Sequence, residues 1–158
     1  MTDKKIPSAV KSDEVQRKTS SGYPTPLNEA VKGRARAALG NLFGLDQFGV
    51  NLVTLSPGSW SSQRHWHEGE DEFVYILDGE LVLGDDSGDH LMTAGMCAGF
   101  KAGNGNGHHL KHMGNAPATY LEVGTRLRDD KARYSDVNML AIKQAGEMRF
   151  VKKDGSAF

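Results

Sequence analysis

The chain has 158 residues, with 19 Lys+Arg against 20 Asp+Glu, 19 glycines, six histidines and one cysteine. That length suits one domain with a core large enough to need no disulfide, and a lone cysteine forms no internal one, which excludes a secreted disulfide scaffold. A formal net charge of −1 speaks against nucleic-acid and membrane partners, and the expected protein is soluble and cytoplasmic.

Residues 1–25 are polar, contain no apolar run of a signal peptide, and close on Ser20-Ser21-Gly22 and Pro24. With residues 28–43, where Ala30, Ala35, Ala37, Ala38 and Leu39 suggest a short helix ending at Gly40, they form an expected N-terminal arm over 1–44. From Gln47 the period changes. Gln47–Leu55 alternates, is rich in β-formers, and stops at Ser56-Pro57-Gly58, which predicts a strand closed by a turn. Trp60–His67, Glu72–Leu77 and Glu80–Leu83 follow as strands, the last two joined at the hairpin signal Asp78-Gly79. His90–Thr93, Cys97–Phe100, His108–His112 and Ala118–Val123 continue the series. Residues 127–158 are expected to be an extension packed on or paired with this body, with a short helix near Val137–Gln144 and an edge strand at Met148–Lys153. Short strands punctuated about every 8–12 residues by glycine-rich breakers predict an all-β barrel or sandwich over residues 45–126.

Charge and histidine are unevenly placed. Residues 41–125 hold 3 Lys/Arg and 11 Asp/Glu, between two basic ends, and all six histidines lie from His65 to His112. Within that acidic middle stands Arg64-His65-Trp66-His67, followed by Glu72 and Gly79. On a strand, His65 and His67 share one face and Arg64 and Trp66 the other. A turn over 68–71 would bring Glu72 back beside them on the next strand. Two imidazoles and a carboxylate suit a divalent transition metal, Fe, Mn, Ni, Co, Cu and Zn all being compatible; a His-x-His pair on a solvated face is the plain alternative. A fourth ligand is available in His108-His109-Leu110-Lys111-His112, where His108, Leu110 and His112 share a face. Ser61 and Gln63 have the parity of His65 and are candidates to line a cavity. Asn51, alternating with apolar neighbours, is a third such candidate. Cys97 reads as a buried structural thiol, and Trp60 and Trp66 read as core or dimer-contact residues.

These residues resemble the cupin superfamily, and within it the small single-domain cupins of bacterial type. The first cupin motif, G-x5-H-x-H-x3,4-E-x6-G, is matched by Gly58, His65, His67, Glu72 and Gly79, with six residues rather than five after the first glycine. The second, G-x5-P-x-G-x2-H-x3-N, falls on Gly95, Lys101, Gly103, His108 and His112, with Lys101 in place of the proline, His112 in place of the asparagine and a longer gap before the histidine. The resemblance implies a double-stranded β-helix (jelly-roll) barrel. It implies one divalent metal ion held by His65, His67, Glu72 and His108, with His109 as the less favoured choice for the fourth place. It further implies an enzyme acting on a small polar or anionic sugar-like molecule, with sugar-phosphate isomerase-like chemistry and His112 as the candidate proton carrier. A dioxygenase or lyase reaction and a non-catalytic ligand- or metal-binding module are the alternatives, and a barrel that has lost its metal is a third. The implied assembly is a homodimer, with Trp66, Phe73 and Tyr75 facing outward.

Overall fold

The structure, a computed structural model, describes residues 6–158, and among them the fold is mostly β. In chain order the strands are β1 Arg34–Ala38, β2 Phe48–Leu55, β3 His65–His67, β4 Glu72–Asp78, β5 Glu80–Asp85, β6 Gly88–Thr93, β7 Cys97–Phe100, β8 His109–Lys111, β9 Ala118–Thr125, β10 Asp130–Tyr134, β11 Leu140–Gln144 and β12 Glu147–Val151. A single helical turn, α1 Leu39–Leu42, follows β1. No helix among the described residues is long and apolar enough to cross a membrane.

The strands form three open sheets, ordered β1-β2-β9-β4-β7, β12-β11-β10-β3 and β6-β5-β8. The expectation of a closed barrel is therefore corrected, because no sheet returns on itself. The physical reason lies in the segment 58–65. It runs along residues 108–112, but only the bridges Trp60–Lys111 and His65–His108 form. Ser61 intervenes: its Oγ accepts the Leu110 amide at 2.9 Å, while its own amide donates to the Leu110 carbonyl at 2.8 Å. A serine hydroxyl that takes a ladder proton interrupts the ladder. Most of the expected strand Trp60–His67 is accordingly irregular, and only β3 remains.

Two expected helices also become strands. The alanines at 35–38 sit in β1, which pairs antiparallel with β2 from Arg34↔Leu55 to Ala38↔Asn51. Helix propensity is a few tenths of a kcal/mol per residue, and the sheet pairing outweighs it. Likewise Val137–Gln144 contributes β11, which forms a hairpin with β12 across Ala145 (φ 52°) and Gly146 (φ 87°). Two successive residues of positive φ make the turn whose twist suits a hairpin. As expected, β12 is an edge strand.

The main core lies between the five- and three-stranded sheets. Val53, Leu55, Val74, Ile76, Leu81, Leu83, Leu110 and Tyr120 are buried there. A second cluster, Ala132, Tyr134, Met139 and Ala141, packs with Tyr23 and Phe150 under the four-stranded sheet. His65 stacks on Tyr134 of the second cluster, and His108 stacks on Phe100, which packs on the first. Cys97, expected inside, is exposed on the edge strand β7, since strand alternation turns it outward with Gly99 while Ala98 and Phe100 pack inward.

Candidate metal centre

The strand β3 presents His65 and His67 on one face, and both rings are partly shielded from solvent. Each has one nitrogen committed. His65 Nδ1 donates to the Gln63 carbonyl at 2.9 Å, and His67 Nδ1 donates to Asp130 Oδ2 at 2.6 Å. Both Nε2 atoms are thereby left to face Glu72, whose Oε2 lies 3.8 Å from that of His65 and 3.7 Å from that of His67. The three ligand atoms fall within 4.8 Å of one another. Glu72 is not on a neighbouring strand of the same sheet, as the sequence suggested. It opens β4, whose partners are β9 and β7, while β3 pairs with β10. The carboxylate reaches the imidazoles across the interior, from one sheet to another.

His108 enters through the isolated bridge to His65. Its Nε2 lies 2.9 Å from Glu72 Oε2, and its ring stacks on Phe100 with centroids 3.5 Å apart. Its Nδ1 is buried and has no hydrogen-bond partner among the described residues. His109 points away, against Trp60. A second group, His67, Glu70 and Asp130, also has metal-ligand spacing. Its carboxylates are already engaged: Glu70 by Lys143 and the Leu127 amide, Asp130 by His67 and the Gly69 amide. It reads as the support of the first group.

Electrostatics follow from this burial. Desolvation lowers the pKa of His65 to about 4, against the opposing pull of Glu72. Burial acts to raise Glu72, but the hydrogen bond to His108 and the imidazoles around it more than offset this and hold the carboxyl at about 2. Burial likewise acts to lower His67, and the Asp130 bond and the surrounding carboxylates outweigh it, so His67 is raised. At neutral pH His65 is thus a neutral donor and Glu72 an ionised one, while His67 holds a proton more tightly than an ordinary imidazole. Nδ1 groups anchored to a carbonyl and a carboxylate, with Nε2 free, are the usual outer support of metal-bound imidazole. On that observation the residues fit a divalent ion.

Of the other expected residues, Ser61 lines a cavity of about 30 Å³ beside His65, Glu72 and His108. Asn51 lines an adjoining cavity of about 220 Å³ that also reaches Glu72. Gln63 faces elsewhere, its Nε2 donating to the Leu27 carbonyl, although its own carbonyl holds His65. His112 lines neither cavity. Its Nε2 donates to the Ala116 carbonyl at 2.6 Å and its Nδ1 accepts the Gly114 amide at 3.0 Å. The residue that sequence reasoning missed is Glu122. It lines both cavities and accepts a hydrogen bond from Asn51 Nδ2 at 2.9 Å. Burial, and after it the nearby Glu72, raise its pKa. The available signal was a carboxylate on the inward parity of Ala118, Tyr120 and Gly124.

Three open sheets around imidazoles that converge on one carboxylate define a small β-protein with a buried metal-type centre. Residues 51–124 match the family model described as Cupin domain. A cupin-superfamily sugar phosphate isomerase from Silicibacter pomeroyi is similar over 95% of this chain and 96% of its own, at 47% identity and a TM-score of 0.91. A provisionally assigned sugar phosphate isomerase from Acidithiobacillus ferrooxidans is 27% identical over 78% of this chain and 80% of its own, with a TM-score of 0.72. A predicted oxalate decarboxylase from Thermotoga maritima is 27% identical over 75% of this chain and 99% of its own, with a TM-score of 0.60. A search of the curated proteins found no match. The chain belongs to the cupin superfamily.

Proposed function

We propose that this cupin is a metal-dependent isomerase of sugar phosphates. The reading is carried by one conjunction: a relative of that activity is 47% identical over nearly the whole chain, and His65, His67 and Glu72 converge as metal donors do. The residues assigned to the metal are His65, His67, Glu72 and His108. For His108 to serve, it would give up its hydrogen bond to Glu72 and offer the same Nε2. A divalent ion so held supplies a Lewis acid for a sugar carbonyl.

Isomerisation also needs a group that moves a proton between neighbouring carbons. Glu122 is the residue we assign to it. It stands on the wall shared by the two cavities, and a carboxyl whose pKa burial raises holds a proton more readily than an exposed one, which suits it to take and return one. Asn51, bonded to Glu122, orients it. His112 has both ring nitrogens held by its own turn and is assigned a structural role. The working form is a cytoplasmic homodimer, in which the exposed Phe73, Tyr75 and Leu77 of β4 are covered.

The test is direct. Metal-loaded protein is offered aldose and ketose phosphates in D2O, and interconversion and solvent deuterium incorporation are followed by NMR. Both are expected, together with a fall in kcat of at least about 100-fold in E122Q. Oxygen uptake with keto acids and silence toward phosphosugars would favour a dioxygenase instead. Light scattering is expected to give twice the chain mass.

A further inference from the structure

The cavity of about 220 Å³ next to Glu72 has cations in its wall as well as Glu70, Glu72 and Glu122. Three cations line it, Arg36, Arg126 and Lys143. Lys143 is spent on Glu70. The two arginines are not: among the described residues neither makes an ion pair, and Arg36 has no side-chain hydrogen bond. Arg36 comes from β1, two residues before Ala38, on the strand that the sheet pairing draws against β2. Arg126 follows β9 and is held in place by neutral groups. Its Nη2 donates to Asn41 Oδ1 at 2.6 Å and its Nη1 to the Leu45 carbonyl at 3.1 Å. Its guanidinium lies over Gly49, where a methyl group would stand 3.1 Å from Nε. A glycine that makes room for a clamped, unpaired guanidinium is a feature of a prepared site rather than of a solvated surface arginine.

The carboxylates of the same cavity form no ion pair with either arginine. Glu70 belongs to Lys143 and Glu72 to the metal centre; Glu122 feels the charge of Arg36 but makes no ion pair with it, its hydrogen bond coming from Asn51. Two guanidinium charges on the wall of one small space, Arg36 with all its side-chain N–H groups uncommitted and Arg126 with those its two neutral acceptors leave, match a dianion, which one cation alone would leave half neutralised. We propose that Arg36 and Arg126 form the seat of a phosphate monoester, gripping that end of the substrate while its carbonyl end lies toward Glu72. This deepens the sugar-phosphate reading and rests on it for the identity of the substrate.

The test uses the full, metal-loaded chain and inorganic phosphate as probe, followed by calorimetry at fixed ionic strength. Wild type is expected to bind phosphate, and R36Q and R126Q each to lose at least tenfold in affinity, with metal content and urea midpoint unchanged. R36K and R126K, which keep the charge and lose the fork, serve where a glutamine variant does not fold, and a loss is expected there too. No binding by wild type, or affinity retained in either pair of variants, overturns the proposal; phosphate held on the metal alone would give the second result. Equal competition by acetate overturns the preference for a dianion. With phosphosugars, the glutamine variants are expected to raise KM far more than they lower kcat. An active isomerase with unchanged KM in these variants sinks the arginine seat and leaves the activity standing. Arginine-dependent phosphate binding without any interconversion does the reverse.

Discussion

Asp130 Oδ2 accepts a hydrogen bond from Nδ1 of His67 at 2.6 Å, and this contact decides which nitrogen His67 turns toward Glu72. Asp130 is itself fixed, since its other oxygen accepts the Gly69 amide at 2.8 Å. An Asn at 130 keeps the shape and removes the charge that orients the ring. D130N is expected to weaken metal binding by about 10–100-fold, measured by competition with a chromogenic chelator. Because the carboxylates around His67 raise its pKa, metal must displace a proton from it at mildly acidic pH. Metal affinity in wild type is therefore expected to fall from pH 8 to pH 6, and less steeply in D130N. Equal affinity and equal slope would remove Asp130 from the centre.

The same groups set the acid sensitivity of the metal-stripped protein. His65 is held neutral by burial, with a pKa of about 4 against an ordinary 6.5. Between those values the unfolded chain takes up a proton that the folded one refuses, so this contribution is present above pH 6.5 and is lost as pH falls toward 4. Glu72, at about 2 against 4.5, extends the loss from pH 4.5 downward. His67 works oppositely, since a raised pKa stabilises below pH 6.5 and fades as pH rises. The melting temperature of chelator-treated protein is expected to drop from pH 6.5 to 4, and H65Q to flatten that drop. Parallel curves for the two proteins would show that His65 is not the titrating group.

The centre is only partly local, and that governs how much of it was readable. His65 and His67 follow from strand alternation, and Glu72 and Gly79 from spacing, because these depend on a few adjacent residues. How Glu72 reaches the imidazoles is not local, since the turn over 68–71 delivers it to a different sheet from β3. Asp130 was invisible because its place comes from the register Ala132↔His67 of β10 on β3, and nothing nearby distinguishes it from Asp129. Arg36 was hidden inside an alanine-rich stretch that looked helical. The closed barrel failed for a related reason. Ser61 and Ser62 fall within the expected strand Trp60–His67, and only the structure shows Ser61 Oγ taking the Leu110 amide.

Gly79 is the motif glycine with a purely steric duty. Its φ is 77°, and a methyl there would meet Ala118 Cβ at 2.8 Å and Ala118 Cα at 3.0 Å. Ala118 is fully buried at the start of β9, so neither side can yield cheaply. The left-handed backbone alone costs a non-glycine residue about 1–2 kcal/mol. G79A is expected to lose at least about 2 kcal/mol, read as a lower urea midpoint at unchanged m value, with metal content retained after refolding. A neutral result would mean the hairpin at 78–79 relaxes without moving β9.

His112 provides the sharpest separation of structure from chemistry. It occupies the place of the family's asparagine and is only 2% exposed. Its ring bridges the turn that follows it, between the Gly114 amide and the Ala116 carbonyl. Removing the ring leaves a void and frees both partners, at a cost of about 2–3 kcal/mol. H112A is expected to lower the melting temperature while leaving metal content and, below its melting range, kcat close to wild type. E122Q is expected to do the opposite, sparing stability and removing turnover. If H112A instead folds as well as wild type and loses turnover, the proton carrier is His112 and the assignment to Glu122 falls.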